Sequence, residues 1–153
     1  MLREKVAEAL KVAMRAKDTA ALSTIRMINA GIKQKDIDVA RPRGDQTITD
    51  EEILNLLQTL IKSRRESIEM FKQGGRQDLI EKENAEIAVI EQFLPKQLSA
   101  EETRAAVQAV IAATGAASVK DMGKVMAALK TQYAGQLDMA KAGAVVKELL
   151  ASA

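Results

Sequence analysis

Two stretches with apolar residues at helical spacing, one on each side of Gly74-Gly75, constrain the fold of this chain more than any other feature. The first stretch begins at a capping box, in which Thr49 is followed three residues later by Glu52. The second has the same spacing and ends before Pro95, which disfavours continuation of a helix. Because only a short glycine turn separates the two helices, they are expected to return antiparallel and to form a long hairpin.

The same helical spacing continues on both sides of the hairpin. Asp18 is placed to cap an earlier helix, and Asp138 to cap the last one. No segment alternates apolar and polar residues over a useful length, as a half-buried strand would. The pattern predicts an all-α protein, with a four-helix N-terminal part in residues 1–96 and a small three-helix C-terminal domain in residues 97–153. Residues 39–48 contain proline, glycine and several charges, so an exposed loop is expected there.

Arg64 falls inside the apolar stripe of the first hairpin helix, where an unpaired charge would destabilise the fold. It lies about as far before the glycine turn as Glu83 lies after it, so the two side chains are predicted to face each other. Glu86 is the second choice of partner. A structural ion pair that fixes the register of the hairpin is the favoured interpretation. The alternatives are a pair that lines a binding cleft and an arginine that reaches solvent along its own stem.

The composition excludes several kinds of chemistry. Cysteine and histidine are both absent, so the chain lacks a thiol nucleophile, the usual general base near neutral pH and the commonest metal ligands. No glycine-rich phosphate-binding motif occurs either. We therefore expect no cofactor, no metal site and no intrinsic catalytic activity.

The scarcity of aromatic residues, at 2%, restricts how this chain could bind a nucleic acid. Proteins that read RNA bases stack them on aromatic rings, and the two phenylalanines here are expected in the core. The net charge of +2 is too small for the whole protein to act as a polycation. Any RNA binding should therefore use phosphate contacts from a local basic patch.

The first residues of the chain carry interspersed charges and no apolar core of a signal peptide. The acidic residues among them argue against a transit peptide, and no apolar run approaches the roughly 20 residues that span a membrane. These features predict a cytoplasmic location and no membrane partner.

A segment rich in lysine near the C-terminus offers a candidate basic patch. Ser118–Asp138 reads as one amphipathic helix, with Lys120, Lys124 and Lys130 on its outer side and apolar residues on the opposite side. Lys120 and Lys124 are the principal RNA-binding candidates, and Lys130 and Lys96 are marginal ones. The same charged face would also serve to dock a protein.

Several segments resemble the GatB/YqeY family, in its YqeY-like branch, and together they cover nearly the whole chain. The resemblance is carried by Ser23–Ile28, Lys62–Ile68, Gly75–Leu79, Phe93–Leu98 and the lysine-rich stretch Ser118–Asp138. It implies an all-helical protein of two domains, whose C-terminal part is similar to the tRNA-contacting tail of the amidotransferase B subunit. The catalytic parts of that enzyme lie outside the shared region.

The resemblance thus implies a non-catalytic accessory protein that binds tRNA or another structured RNA. A label of carbon–nitrogen ligase with glutamine as amido-N-donor would follow from kinship alone. The alternative is a helical protein–protein interaction module without RNA binding. Where many members of the family read Gly-Arg-Ala-Asp before the last helix, this chain reads Gly-Gln-Leu-Asp at Gly135–Asp138 and lacks the basic side chain.

Overall fold

The computed structural model describes residues 1–152. Within them the chain forms seven α-helices and no β-strand, which confirms the all-α prediction. The helices are α1 (Leu2–Arg15), α2 (Thr19–Lys35), α3 (Asp50–Gln73), α4 (Gln77–Glu91), α5 (Ala100–Thr114), α6 (Met122–Gln132) and α7 (Met139–Ala151). A π-helical segment, Asp36–Ala40, and a 3₁₀ turn, Arg41–Arg43, follow α2, and a second 3₁₀ turn, Val119–Asp121, precedes α6.

Local capping signals set the starts of four helices. The Asp18 side chain accepts a hydrogen bond from the N–H of Ala21 at 3.1 Å, and Asp138 caps α7 in the same way. The predicted capping box at Thr49 is complete, and Ser99 forms a second capping box with Glu102. These side chains satisfy backbone N–H groups that a helix leaves without partners at its N-terminus.

The chain divides into two compact units, Met1–Leu94 and Pro95–Ala153. In the first unit, α3 and α4 form an antiparallel hairpin that turns at Gly75, whose φ of +67° suits glycine. The hairpin packs with α1 and α2 around a core of aliphatic side chains. The most deeply buried members of this core are Val6, Ile25, Ile28, Ile32, Ile53, Leu57 and Ile90.

The second unit has its own aliphatic core between α5, α6 and α7. Its fully buried members include Val107, Val110, Val125, Leu129, Leu137 and Val146. The segment before α5 joins this unit through the N–H of Leu98, which donates to the carbonyl of Gln136 at 2.9 Å. None of the helices in residues 1–152 has the length and apolar character needed to cross a bilayer.

The expectation of an exposed loop at residues 39–48 is wrong at both ends. Ala40 and Ile48 are buried, while residues 41–47 are exposed as predicted. The reason is Asp36, whose buried carboxylate accepts the N–H of Ile48 at 2.9 Å and binds Arg3. This anchor draws the end of the loop onto the core.

The expectation of one continuous helix at Ser118–Asp138 is also wrong. The segment begins with a 3₁₀ turn, and α6 ends at Gln132 before a turn in which Gly135 has a φ of +75°. The carboxylate of Asp121 holds the first turn by accepting the N–H groups of Ala117 and Ser118. Lys120 therefore lies outside α6.

Candidate functional site

The four candidate lysines are exposed, but the structure does not gather them on one helix face. Lys120 lies on the 3₁₀ turn and Lys124 in the first turn of α6. Lys130, six residues after Lys124, is displaced by about 9 Å along the axis and by about 120° around it. Lys96 lies two residues before Leu98, which bonds to the turn after α6 and so belongs to the same end of the unit as Lys130.

Lys124 has an internal partner. Its ammonium donates to the carbonyl oxygen of Thr114 at 2.9 Å, and Thr114 is the last residue of α5. The carbonyls at a helix C-terminus lack intrahelical partners and carry partial negative charge, so a lysine stabilises that end. A phosphate would have to compete with this contact, which leaves Lys120 as the more available of the two principal candidates.

The backbone donors next to the lysines are satisfied by the protein itself. Asp121 accepts the N–H groups of Ala117 and Ser118, and these hydrogen bonds lower the pKa of the Asp121 carboxyl below its ordinary value. At the start of α7, Asp138 accepts the N–H groups of Ala140 and Lys141 at 3.0 and 3.2 Å. Both positions where a phosphate could meet a helix N-terminus are therefore filled by carboxylates.

The excess positive charge of the chain nevertheless lies in the second unit. Residues 1–94 contain sixteen basic and sixteen acidic residues, and residues 95–153 contain seven basic and five acidic residues, a net of +2. One basic residue of the second unit, Arg104, is paired with Glu148 at 3.3 Å. Apart from Lys124, the exposed lysines of this unit make no side-chain hydrogen bond or salt bridge within residues 1–152, so they can attract an anionic surface at short range.

Arg64 pairs with Glu86, the second choice of the sequence, and not with Glu83. Its Nε lies 3.0 Å from Oε2 of Glu86, and its two other nitrogens donate to the Leu60 carbonyl and the Met27 sulfur, each at 3.0 Å. Side chains on a helix lean towards its N-terminus, which for α3 is the direction away from the glycine turn. That lean carries the guanidinium past Glu83 to the carboxylate one turn further along α4. All three guanidinium nitrogens have partners inside the protein, as a structural ion pair requires, and the structural role of the pair stays a prediction.

The first unit contains two further ion pairs that the sequence analysis did not predict. Arg3 binds the Asp36 carboxylate through both terminal nitrogens, at 2.8 and 2.9 Å, and Arg43 binds Glu52 at 2.6 and 2.9 Å. The Arg43 hydrogen bond is the main reason that the pKa of Glu52 falls to about 2. No pattern in the sequence joins residues 33 positions apart, so the first pair had no signal.

Within residues 1–152, no cluster of three or more His, Cys, Asp or Glu side chains is placed to hold a metal ion.

The structure defines an all-helical protein of two compact units, with the net positive charge of the chain in the second unit. A family model described as YqeY-like protein matches residues 3–150. The chain therefore belongs to the YqeY-like protein family, as its resemblance indicated.

Curated relatives match about half of this chain. "Altered inheritance of mitochondria protein 41, mitochondrial" is 40% identical over 85 residues in Lachancea thermotolerans and 38% identical over 85 residues in Eremothecium gossypii. Each match covers 56% of this chain, but only 43% and 44% of the two relatives, so the chain spans less than half of their length. An uncharacterized protein of Schizosaccharomyces pombe is 33% identical over 99 residues, which cover 65% of this chain and 73% of the relative.

These relatives contradict the predicted cytoplasmic location, because those that carry a descriptive name are named as mitochondrial proteins. The prediction of a cytoplasmic location used only the first residues of this chain, which spans less than half the length of those relatives. Targeting segments generally lie outside the folded part of a protein, so the composition of these helices does not decide the location. The names mention neither RNA nor an amidotransferase, so those parts of the functional hypothesis stay predictions.

Proposed function

We propose that this chain is a non-catalytic accessory protein that binds folded RNA of the tRNA type through its C-terminal part. The proposal treats residues 1–96 and 97–153 as two domains with separate roles, and it assigns RNA binding to the second together with Lys96, the last residue of the first. The observation that supports it is the net positive charge of residues 95–153, where, among the described residues 1–152, Lys120, Lys130 and Lys96 make no side-chain hydrogen bond or salt bridge. Lys120, Lys130 and Lys96 would make the phosphate contacts, with a smaller contribution from Lys124.

The binding should be weak, and it should depend on the shape of the folded RNA and not on its base sequence. Two or three phosphate contacts give a slope of log affinity against log salt of about −2 to −3. With Tyr133 half-buried and packed against the core, the second unit has no exposed aromatic ring on which to stack a base. No catalytic group accompanies the lysines, so a carbon–nitrogen ligase label with glutamine as amido-N-donor would describe kinship and not an activity of this chain.

The test is a fluorescence-anisotropy titration of labelled tRNA at about 50 and 200 mM salt. We compare the wild type with a Lys120→Ala/Lys130→Ala variant. The control variant, Lys62→Ala/Lys82→Ala, removes the same charge from exposed positions of the first unit. The C-terminal variant should bind more weakly and lose about two units of salt slope, while the control should match the wild type. Equal losses in both variants, or no binding by the wild type at low salt, would refute the proposal.

The second candidate function is a helical protein–protein interaction module. It is favoured by the internal use of Lys124 and of the two helix N-termini, which reduces the number of phosphate contacts available. Val119 also leaves 44% of its surface exposed beside the partly buried Met122. Apolar docking would depend little on salt, so a partner captured equally at both salt concentrations and after nuclease treatment would favour this function.

A further inference from the structure

A cleft in the first unit has the features of a small-molecule site. It has a volume of about 290 Å³ and lies between the π-helical segment after α2 and the first half of α3. Ligand pockets in proteins begin near this size, so the cleft suits a small molecule. Three of its lining residues are apolar, Val39, Ile48 and Leu56, and we call them the floor; the polar lining residues, Lys35, Glu52, Asn55 and Thr59, we call the rim.

The walls of the cleft are held in place before any ligand arrives. Asp36 follows Lys35 directly, and its buried carboxylate binds both Arg3 and the N–H of Ile48. Ile48 is consequently pinned to the π-helical segment and is only 5% exposed. A site whose walls need no ordering loses less free energy on binding, and π-helical segments occur frequently at functional sites.

The one carboxylate on the rim is unavailable to a ligand. The Glu52 carboxylate accepts hydrogen bonds from both terminal nitrogens of Arg43. Its Oε1 also accepts hydrogen bonds from the N–H and the hydroxyl of Thr49, each at 3.0 Å. Its charge is neutralised by Arg43, and its lone pairs are largely used. A cationic ligand therefore finds no free carboxylate among the lining residues.

Two hydrogen-bond donors among the lining residues remain available to a ligand. In residues 1–152, no side-chain hydrogen bond or ion pair engages the ammonium of Lys35 or the amide of Asn55. An ammonium and an amide N–H are the groups that bind a carboxylate, and a single cation suits one negative charge better than the two of a phosphate. We propose that the cleft binds a small aliphatic carboxylate, with its carboxylate on Lys35 and Asn55 and its hydrocarbon chain on Leu56, Val39 and Ile48.

Gly31 on α2 supports the floor from behind. A Cβ at this position would lie 3.3 Å from Cδ2 of Leu56, closer than the ordinary distance between such atoms. Alanine at position 31 would therefore shift Leu56 by a few tenths of an ångström and change the floor without removing either donor. The same change raises helix propensity, so the fold should be retained.

The test uses hexanoate as the probe and the full chain labelled with ¹⁵N. A titration followed by amide chemical shifts should show saturable changes at Ile48, Asn55 and Leu56, with a dissociation constant of about 1 mM. Hexanol has the same hydrocarbon chain without the charge and should bind about tenfold more weakly.

Variants separate the cleft from unspecific binding. Lys35→Met keeps the aliphatic stem and should weaken hexanoate about tenfold, whereas Lys33→Met, at an exposed lysine two residues earlier, should not. Gly31→Ala should weaken binding while its spectrum stays that of the folded protein. Absence of saturable shifts, equal affinity for hexanol, or equal losses in the two lysine variants would overturn the proposal. It is independent of the RNA proposal, which concerns the other unit.

Discussion

Truncation of Arg64 tests how far the hairpin depends on its ion pair. Only 11% of the Arg64 side chain is exposed, and its three contacts at 3.0 Å join α2, α3 and α4. Arg64→Ala removes these contacts and the packing of the stem. Breaking a fully buried pair costs about 3–5 kcal/mol, but Glu86 is 25% exposed and regains water, so we expect a loss of about 2–3 kcal/mol in the free energy of unfolding.

A double-mutant cycle isolates the ion pair from the lost packing. Arg64→Ala and Glu86→Gln should be coupled by about 1 kcal/mol. Glu83→Gln supplies the matched control, since Glu83 lies one turn earlier on the same helix and is the partner that the sequence favoured. Its coupling to Arg64 should be within about 0.3 kcal/mol of zero.

Urea unfolding followed through the backbone amides of α3 and α4 measures these values. This readout assigns the free energy to the first unit, which a signal averaged over both units would not. A loss below about 0.5 kcal/mol for Arg64→Ala, or equal coupling to the two glutamates, would refute the structural role of the pair.

Two further predictions concern the carboxylates of the first unit. Asp36→Asn should lower the free energy of unfolding by about 2 kcal/mol at neutral pH, because it weakens the bonds to Arg3 and the Ile48 N–H. The deficit should shrink in acid, since Arg3 holds the pKa of Asp36 below its ordinary value and the wild type loses the same contribution only when this carboxylate is protonated. Glu52 has its pKa lowered from 4.5 to about 2, mainly by Arg43, so its contribution is present above pH 4.5 and lost as the pH falls to about 2. Glu52→Gln should flatten that part of an acid-unfolding curve, and a curve that keeps the wild-type slope would contradict this assignment.

The parts of the fold that depend on neighbouring residues could be predicted from the sequence. A cap such as Asp18 or Thr49 meets its backbone partner three residues later, so the contact is written in the local order of residues. The turn of the hairpin is also a local feature, because the positive φ of Gly75 is a conformation that glycine adopts readily. These signals are sufficient for the all-α class and for the starts of the four capped helices, α2, α3, α5 and α7.

The parts that depend on tertiary packing could not be predicted. Asp36 reads as an ordinary polar residue near a loop, and its burial follows only from the approach of Arg3. Helical angles placed Arg64 correctly in the apolar stripe but could not choose between two glutamates a turn apart, because the choice depends on the lean of a long side chain. The sequence also contains no sign that Lys124 has a partner, because the carbonyl of Thr114 that it contacts is ten residues away across a turn.

Counting charges is a poor guide to a binding surface when the charges already have partners. Lys124 and Lys35 look alike in the sequence, yet the ammonium of Lys124 caps a helix, whereas Lys35 lines a cleft with apolar residues. The two proposals therefore predict opposite effects of two variants on the binding of hexanoate and of tRNA. Lys35→Met should weaken hexanoate and leave the tRNA titration unchanged, while Lys120→Ala/Lys130→Ala should do the reverse. If either variant weakened both ligands, the loss would report a general effect of charge or of stability, and neither lysine would mark a specific site.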